Sequence, residues 1–191
     1  MENLLFFLIV TFGIATYASG LYQMYRSEYK PSFFSRAIWF LLGINSFIGV
    51  ILSNGSAASI ILAGTLLIGN FLMFVVSYSK GSREFGIIEK ISLGLLGFSG
   101  LIWLTYDLAL LNLAIGLLAH FIGGIPTYGR VLKKPENEQA YHWYLFFLAS
   151  VLGIIASPDK SISYILFPLY FALFDGSIII LANRNKIKTL F

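Results

Sequence analysis

The sequence predicts an all-α integral membrane protein whose seven transmembrane helices form two parallel three-helix bundles joined by a linker helix (3+1+3). Of the 191 residues, 58% are hydrophobic and 12% are charged, whereas an ordinary soluble domain has about 25% charged residues. Uncharged runs of about 20 residues, the length that crosses a bilayer as a helix, recur along the chain. Residues 20–50 are repeated at residues 124–154, with 8 identities in 31 positions. The repeat indicates an internal duplication.

The first bundle is predicted within residues 1–80. Residues 3–25 carry no charge and are long enough for the first span at about 1.5 Å per residue. A basic turn follows, and Pro31 within it ends one helix or starts the next. Residues 37–79 contain no charged residue, a length that predicts two spans. The turn composition of residues 53–56 separates these two spans.

The linker helix and the second bundle follow the same pattern of charged and uncharged segments. The linker segment is predicted at residues 81–106, with its helix at residues 86–106. The second bundle covers residues 107–191 and ends in a basic tail. Its three helices are predicted at residues 108–129, 141–156 and 161–183, with a tight turn at residues 157–160.

The order of the repeat predicts how the two bundles are related. A second three-helix copy joined directly to the first would enter the membrane in the opposite orientation, and the fourth helix restores the orientation. The two copies are therefore predicted to be parallel, a class of repeat found in transporters. The loops after helices one, three and five, the start of helix four and the C-terminal tail hold 12 of the 13 Lys and Arg residues. The positive-inside rule then puts the N-terminus outside and the C-terminus in the cytoplasm, across the plasma (inner) membrane.

A split dipeptide lies near the ends of helices one and five. The first copy has Tyr22-Gln23 and the second has Pro126-Thr127, each followed by a basic turn. With these motifs and this topology, the chain resembles the SWEET and PQ-loop superfamily, in which a Pro-Gln dipeptide occupies this place. The nicotinamide-riboside transporter group is similar in fold. The resemblance covers nearly the whole chain.

The resemblance implies a secondary transporter that moves a small polar solute by alternating access. The solute is a sugar, an amino acid or a vitamin-like molecule, because a pocket of a few polar side chains fits all three. A non-transporting receptor or membrane chaperone on the same fold is the alternative. The partners expected are the solute and the lipid bilayer.

Asp175 is the main candidate functional residue. An ionisable side chain inside a span costs about 2.5–3.5 kcal/mol on insertion scales and generally faces a cavity or a partner. A shift of 105 residues aligns Asp175 with Asn70, and the resemblance implies that the two face each other across a solute pocket. Alternatively, Asp175 pairs with a polar neighbour such as His120. Because shielding from water disfavours a charged carboxyl, Asp175 is also the candidate proton-coupling residue.

Several other residues are weaker candidates. His120 and Asn45 are polar side chains inside predicted spans, and His120 is either a pocket residue or a packing residue. Trp39 and Trp143 begin helices two and six, where an interfacial aromatic belt is expected. The sequence contains no phosphate loop, metal-ligand spacing or nucleophile motif. We therefore expect no enzymatic activity, no cofactor, no metal and no nucleic-acid partner.

Overall fold

A computed structural model of the chain describes residues 2–26, 31–83, 85–135 and 141–184. Within these residues the protein is all-helical and has seven helices. They are α1 (Glu2–Tyr25), α2 (Phe33–Leu52), α3 (Ala57–Lys80), α4 (Ile87–Tyr106), α5 (Ala109–Lys133), α6 (Tyr141–Ile155) and α7 (Ile162–Ala182). The prediction of a helical membrane protein is confirmed for this part of the chain. The predicted tail beyond residue 184 lies outside the described residues.

Six of the described helices are long and apolar enough to cross a membrane. The exception is α6, an apolar helix of 15 residues, which rises about 22 Å against a hydrocarbon core of about 30 Å. Two bounds differ from the prediction by four residues: α2 begins at Phe33, before the uncharged run that starts at residue 37, and α5 ends later than predicted. Gly129 was predicted to end this helix, but the helix continues to Lys133 because Gly129 does not take the left-handed conformation of a helix terminator.

Short polar turns begin and end the helices. Ser32 and Ser56 cap α2 and α3, and their side chains accept hydrogen bonds from the backbone N–H of Ser35 and Ser59 at 3.4 and 3.2 Å. Asp107 ends α4 with a left-handed φ of 53°. Each of these side chains is short and polar, which suits it to a helix end.

The helices pack in a regular pattern. Helix α3 lies against α1 and α2, and helix α7 lies against α5 and α6. Between these two groups, α1 packs against α6 and α2 packs against α5. Helix α4 packs on the outside, against α5 and α2. The turns after α1 and α3 are also joined, because Phe33 N donates to Ser82 O at 2.8 Å and Ser82 N donates to Pro31 O at 3.0 Å.

The main apolar core lies at one end of the molecule, where α2 turns into α3 and α6 turns into α7. It includes large side chains that are almost fully buried, among them Ile9, Leu62, Leu113, Phe167 and Phe171. At the same end lies a group of three residues, Ser56, Ser59 and Ser157, which we call the serine cluster. Ser56 Oγ lies 3.1 Å from Ser157 Oγ, and Ser59 Oγ donates to the Tyr164 carbonyl at 2.6 Å. This end of the molecule is therefore closely packed.

Candidate solute site

A cavity of about 550 Å³ lies between the helices. All seven helices contribute side chains to it, including Tyr17 from α1, Trp39 from α2, Asn70 from α3, Glu89 from α4, His120 from α5, Trp143 from α6 and Asp175 from α7. Ser32 and Ser82, in the turns after α1 and α3, line its mouth. The cavity therefore reaches the end of the molecule opposite the serine cluster. Its size lies within the usual range for small-molecule sites.

Three predicted site residues come together in this cavity. Asn70, His120 and Asp175 all line it, and only 1%, 4% and 2% of their surfaces are exposed. Asn70 Nδ2 donates to the Tyr17 hydroxyl at 3.4 Å, a weak contact. Asn70 Oδ1 and Asp175 Oδ2 have no hydrogen-bond partner among the described residues. Two buried acceptor atoms thus remain for a ligand.

His120 contacts Tyr170 rather than Asp175. His120 Nδ1 lies 2.8 Å from the Tyr170 hydroxyl, and no hydrogen bond between His120 and Asp175 is found among the described residues. The imidazole ring also packs against Trp39, with ring centroids 4.6 Å apart. The sequence predicts that His120 is either a pocket residue or a packing residue. In the structure it both lines the cavity and packs against neighbouring rings.

Aromatic rings form much of the cavity wall. Phe146 lies 5.3 Å from Phe171 and His120 lies 5.1 Å from Phe174, measured between ring centroids. Trp39 and Trp143, expected in an interfacial belt, also line the cavity and are partly buried. The sequence predicts that each Trp lies near the start of its helix but not which face of the helix carries it. The lining therefore combines aromatic surface with a smaller number of buried polar side chains.

Charged side chains occupy the part of the cavity nearer its mouth. Arg36 and Arg130 line it together with Glu89. Glu89 Oε1 accepts from the Ser35 hydroxyl at 2.6 Å, which joins α4 to α2. The guanidinium of Arg36 lies 5.3 Å from the centroid of the Trp39 ring, within cation–π range. Both signs of charge are therefore present near the entrance.

Three of the four residues of the split dipeptide line the cavity: Gln23, Pro126 and Thr127. Gln23 Nε2 donates to the Tyr141 hydroxyl at 3.1 Å, which joins α1 to α6. The Thr127 hydroxyl accepts from Arg130 at 3.0 Å. Tyr22 is 58% exposed and lies on the outer surface. The motif therefore contributes to the mouth of the cavity and to the contact between α1 and α6.

Asn45 lies outside the cavity. It is located where α2 meets α5, and its Nδ2 atom approaches Gly116 so closely that a Cβ there would be 2.4 Å away. The same Nδ2 atom is buried and has no hydrogen-bond partner among the described residues.

The sequence does not identify Tyr17 as a cavity residue, because a Tyr in an apolar helix gives no signal of which neighbour it contacts. The clue that it packs closely on α3 is Gly69, whose missing side chain makes room for the Tyr17 ring.

No group of three or more His, Cys, Asp or Glu side chains able to hold a metal ion is found among the described residues. Comparisons with protein-family models, curated proteins and solved structures found no match to this chain. The geometry of the cavity is therefore the basis for a functional conclusion.

Proposed function

We propose that the protein is a secondary carrier that moves a small polar solute across the membrane by alternating access. The observation that supports this most is the cavity of about 550 Å³, which is lined by buried polar side chains and reaches only one end of the described molecule. A site near the middle of the membrane, reached from one side at a time, is the arrangement that alternating access requires.

The proposed architecture is the 3+1+3 arrangement, with α1–α3 and α5–α7 as two parallel bundles and α4 as the linker. Exchanging α1 with α5, α2 with α6 and α3 with α7 turns each main contact among these six helices into another observed contact. The contact of α1 with α6, for example, becomes that of α5 with α2. This symmetry supports a two-fold relation between the repeats and a place in the SWEET and PQ-loop superfamily. Helix α4 breaks the symmetry, as a linker would.

The proposed orientation puts the cavity mouth in the cytoplasm. Among the described residues, Lys and Arg cluster at the end that carries the mouth. They are Arg26, Arg36, Lys80, Arg83, Lys90, Arg130, Lys133, Lys134 and Arg184. Lys160 lies at the opposite end, in the turn between α6 and α7. The positive-inside rule then favours a carrier in the plasma (inner) membrane, with an inward-open cavity.

To open the cavity to the other side, the two proposed bundles have to move apart at the serine cluster and in the adjoining core. The bond between Ser56 and Ser157 joins the α2–α3 turn to the α6–α7 turn, so it holds the two proposed bundles together at that end. Asp175 lies between the bundles and is nearly fully buried. A carboxyl in this position can exchange a proton with either side as access alternates, which supports proton-linked transport.

Solute flux into proteoliposomes tests the proposal. Radiolabelled glucose, alanine and ethanolamine represent a neutral, a zwitterionic and a cationic solute. We expect saturable uptake of at least one of them by the wild-type protein. Gly20→Trp, which adds a bulky ring to the cavity wall beside Met73, should abolish uptake. Gly94→Trp, on the face of α4 where nothing lies within 4 Å of an added Cβ, should retain it. Equal uptake by both variants would contradict the proposed route, and solute binding without flux would favour a receptor.

A further inference from the structure

Two of the buried side chains that line the cavity carry hydrogen-bond acceptors that no described residue satisfies. Asn70 Oδ1 and Asp175 Oδ2 are buried and have no hydrogen-bond partner among the described residues. The Asn70 amide nitrogen already faces the Tyr17 hydroxyl. An unpartnered buried carboxylate is strongly unfavourable. A ligand that brings several donors and a positive charge would therefore gain most at this point.

The cavity wall around these acceptors favours a cation over a neutral polyol. Phe171 and Phe174 both pack around His120, with ring centroids 5.0 and 5.1 Å from it. Aromatic faces attract cations through the ring quadrupole, so this wall stabilises a positive charge in addition to the carboxylate. A hydroxyl group also needs both a donor and an acceptor to be satisfied, whereas an ammonium group has three donors and no acceptor.

We propose that the solute carries a primary ammonium group that binds between Asn70 and Asp175, on an apolar or aromatic body that lies against the aromatic wall. As a statement about transport, this proposal rests on the proposed function, but the binding site can be tested without transport. Near the cavity mouth, Arg36 and Arg130 repel a cation, and the carboxylate of Glu89 already accepts a hydrogen bond from Ser35. Asp175 Oδ2, in contrast, has no partner among the described residues. The ammonium group is therefore placed at the depth of Asp175.

The first experiment compares three small molecules that share one body. Binding of phenethylamine, 2-phenylethanol and 3-phenylpropionate to the purified full-length protein in detergent is measured by calorimetry. We expect the amine to bind at least about tenfold more tightly than the alcohol, because a hydrogen bond to a charged group contributes roughly 1.5–3 kcal/mol and 1.4 kcal/mol is about tenfold in affinity. The proposal is wrong if the alcohol or the acid binds as tightly as the amine, or if the amine does not bind.

The second experiment assigns the binding to the two acceptors. Asp175→Asn and Asn70→Leu should each weaken phenethylamine binding by about tenfold to hundredfold, with 2-phenylethanol binding unchanged. Asn112→Leu is the matched control, because Asn112 is also fully buried with both polar atoms unpartnered among the described residues but lies outside the cavity. Equal losses in all three variants would overturn the assignment.

The outcomes separate this inference from the proposed function. If Asp175→Asn does not fold, Asn70→Leu and the three-ligand comparison still decide the question. Specific amine binding without flux in proteoliposomes would retain the ammonium site and reject the carrier. Flux of glucose alone, with no amine binding, would retain the carrier and reject the ammonium site.

Discussion

A single methyl group added at Gly69 should disturb the wall of the cavity. A Cβ built at Gly69 would lie 2.1 Å from two atoms of the Tyr17 ring, much closer than two carbon atoms can approach. Tyr17 also accepts the hydrogen bond from Asn70 and packs edge-on against Phe146, with ring centroids 6.1 Å apart. Gly69→Ala therefore cannot be accommodated unless the ring or helix α1 moves.

The size of the effect follows from two opposing terms. Replacing Gly by Ala in a helix stabilises it by about 1 kcal/mol, whereas overpacking costs about 1–3 kcal/mol. Gly97→Ala is the matched control, because nothing lies within 4 Å of a Cβ at Gly97 and the helix term is the same. With an approach of 2.1 Å, the two variants should differ by about 3 kcal/mol, the upper end of the overpacking cost, or about 6–12 °C in melting temperature.

Thermal unfolding of the purified variants in detergent measures this difference. In the Tyr17→Ala background the clash is absent, so adding Gly69→Ala should no longer destabilise the protein. Such a double-mutant cycle isolates the contact between Gly69 and Tyr17 from other effects. The reasoning fails if Gly69→Ala and Gly97→Ala melt at the same temperature, or if removal of the Tyr17 ring leaves the cost of Gly69→Ala unchanged.

Three further predictions concern the two ends of the molecule. In the proposed orientation, Asn54→Cys should react with an impermeant maleimide only from outside and Ser82→Cys only from inside; labelling of both from one side would reject that orientation. Ser157→Ala should lower stability by about 1 kcal/mol, and Ser56→Ala by about 1 kcal/mol more, because Ser56 also caps α3. The double variant should lose less than the sum, because both changes remove the same 3.1 Å contact; strict additivity in melting experiments would contradict this. Hydrogen bonds from Ser161, first from its side chain and then from its backbone N–H, hold the pKa of Asp159 below its ordinary value of 3.8. The stabilisation from Asp159 is therefore present above pH 3.8 and is lost as the pH falls through the lower folded pKa. Asp159→Asn should reduce the loss of stability at acid pH in a stability–pH curve.

The helices could be predicted from the sequence because their signal is local. An uncharged run has to cross the bilayer as a helix, since unpaired backbone groups are costly in lipid, and polar turns such as residues 53–56 mark where the chain reverses. The end of α5 was missed by four residues because Gly129 permits a helix end without requiring one. The sequence also identifies Asn70 and Asp175 as candidate site residues, since polar side chains are rare in long apolar helices. Both line the cavity.

The face that a helix presents could not be predicted in the same way. Asn45 and Asn70 are equally polar and equally deep within apolar helices, yet Asn70 lines the cavity and Asn45 lies against α5 near Gly116. In a helix that is apolar all round, the hydrophobic pattern has no polar face to distinguish inside from lipid. The same reason applies to Trp39 and Trp143. Their positions near the starts of their helices could be predicted, but the face of the helix that carries each ring could not. These faces are set by the contacts between helices.

Asp175 is the residue through which the proposed carrier would use a proton gradient. An ionised carboxyl without a partner is unfavourable in the buried centre of the cavity, so each state of the carrier should hold either a proton or a cationic solute at this position. Competition for one carboxylate makes the two movements an exchange, and a proton gradient should then drive accumulation of ethanolamine, the cationic solute of the panel. Asp175→Asn cannot release a proton, so gradient-driven accumulation should be abolished. Asp175→Glu, which keeps the carboxyl, should retain part of it. Solute uptake is measured in proteoliposomes with the same pH on both sides and in proteoliposomes with a pH gradient across the membrane. If Asp175→Asn still accumulates ethanolamine, Asp175 does not couple protons. If the wild-type protein equilibrates ethanolamine but does not accumulate it under a proton gradient, the protein is a facilitator.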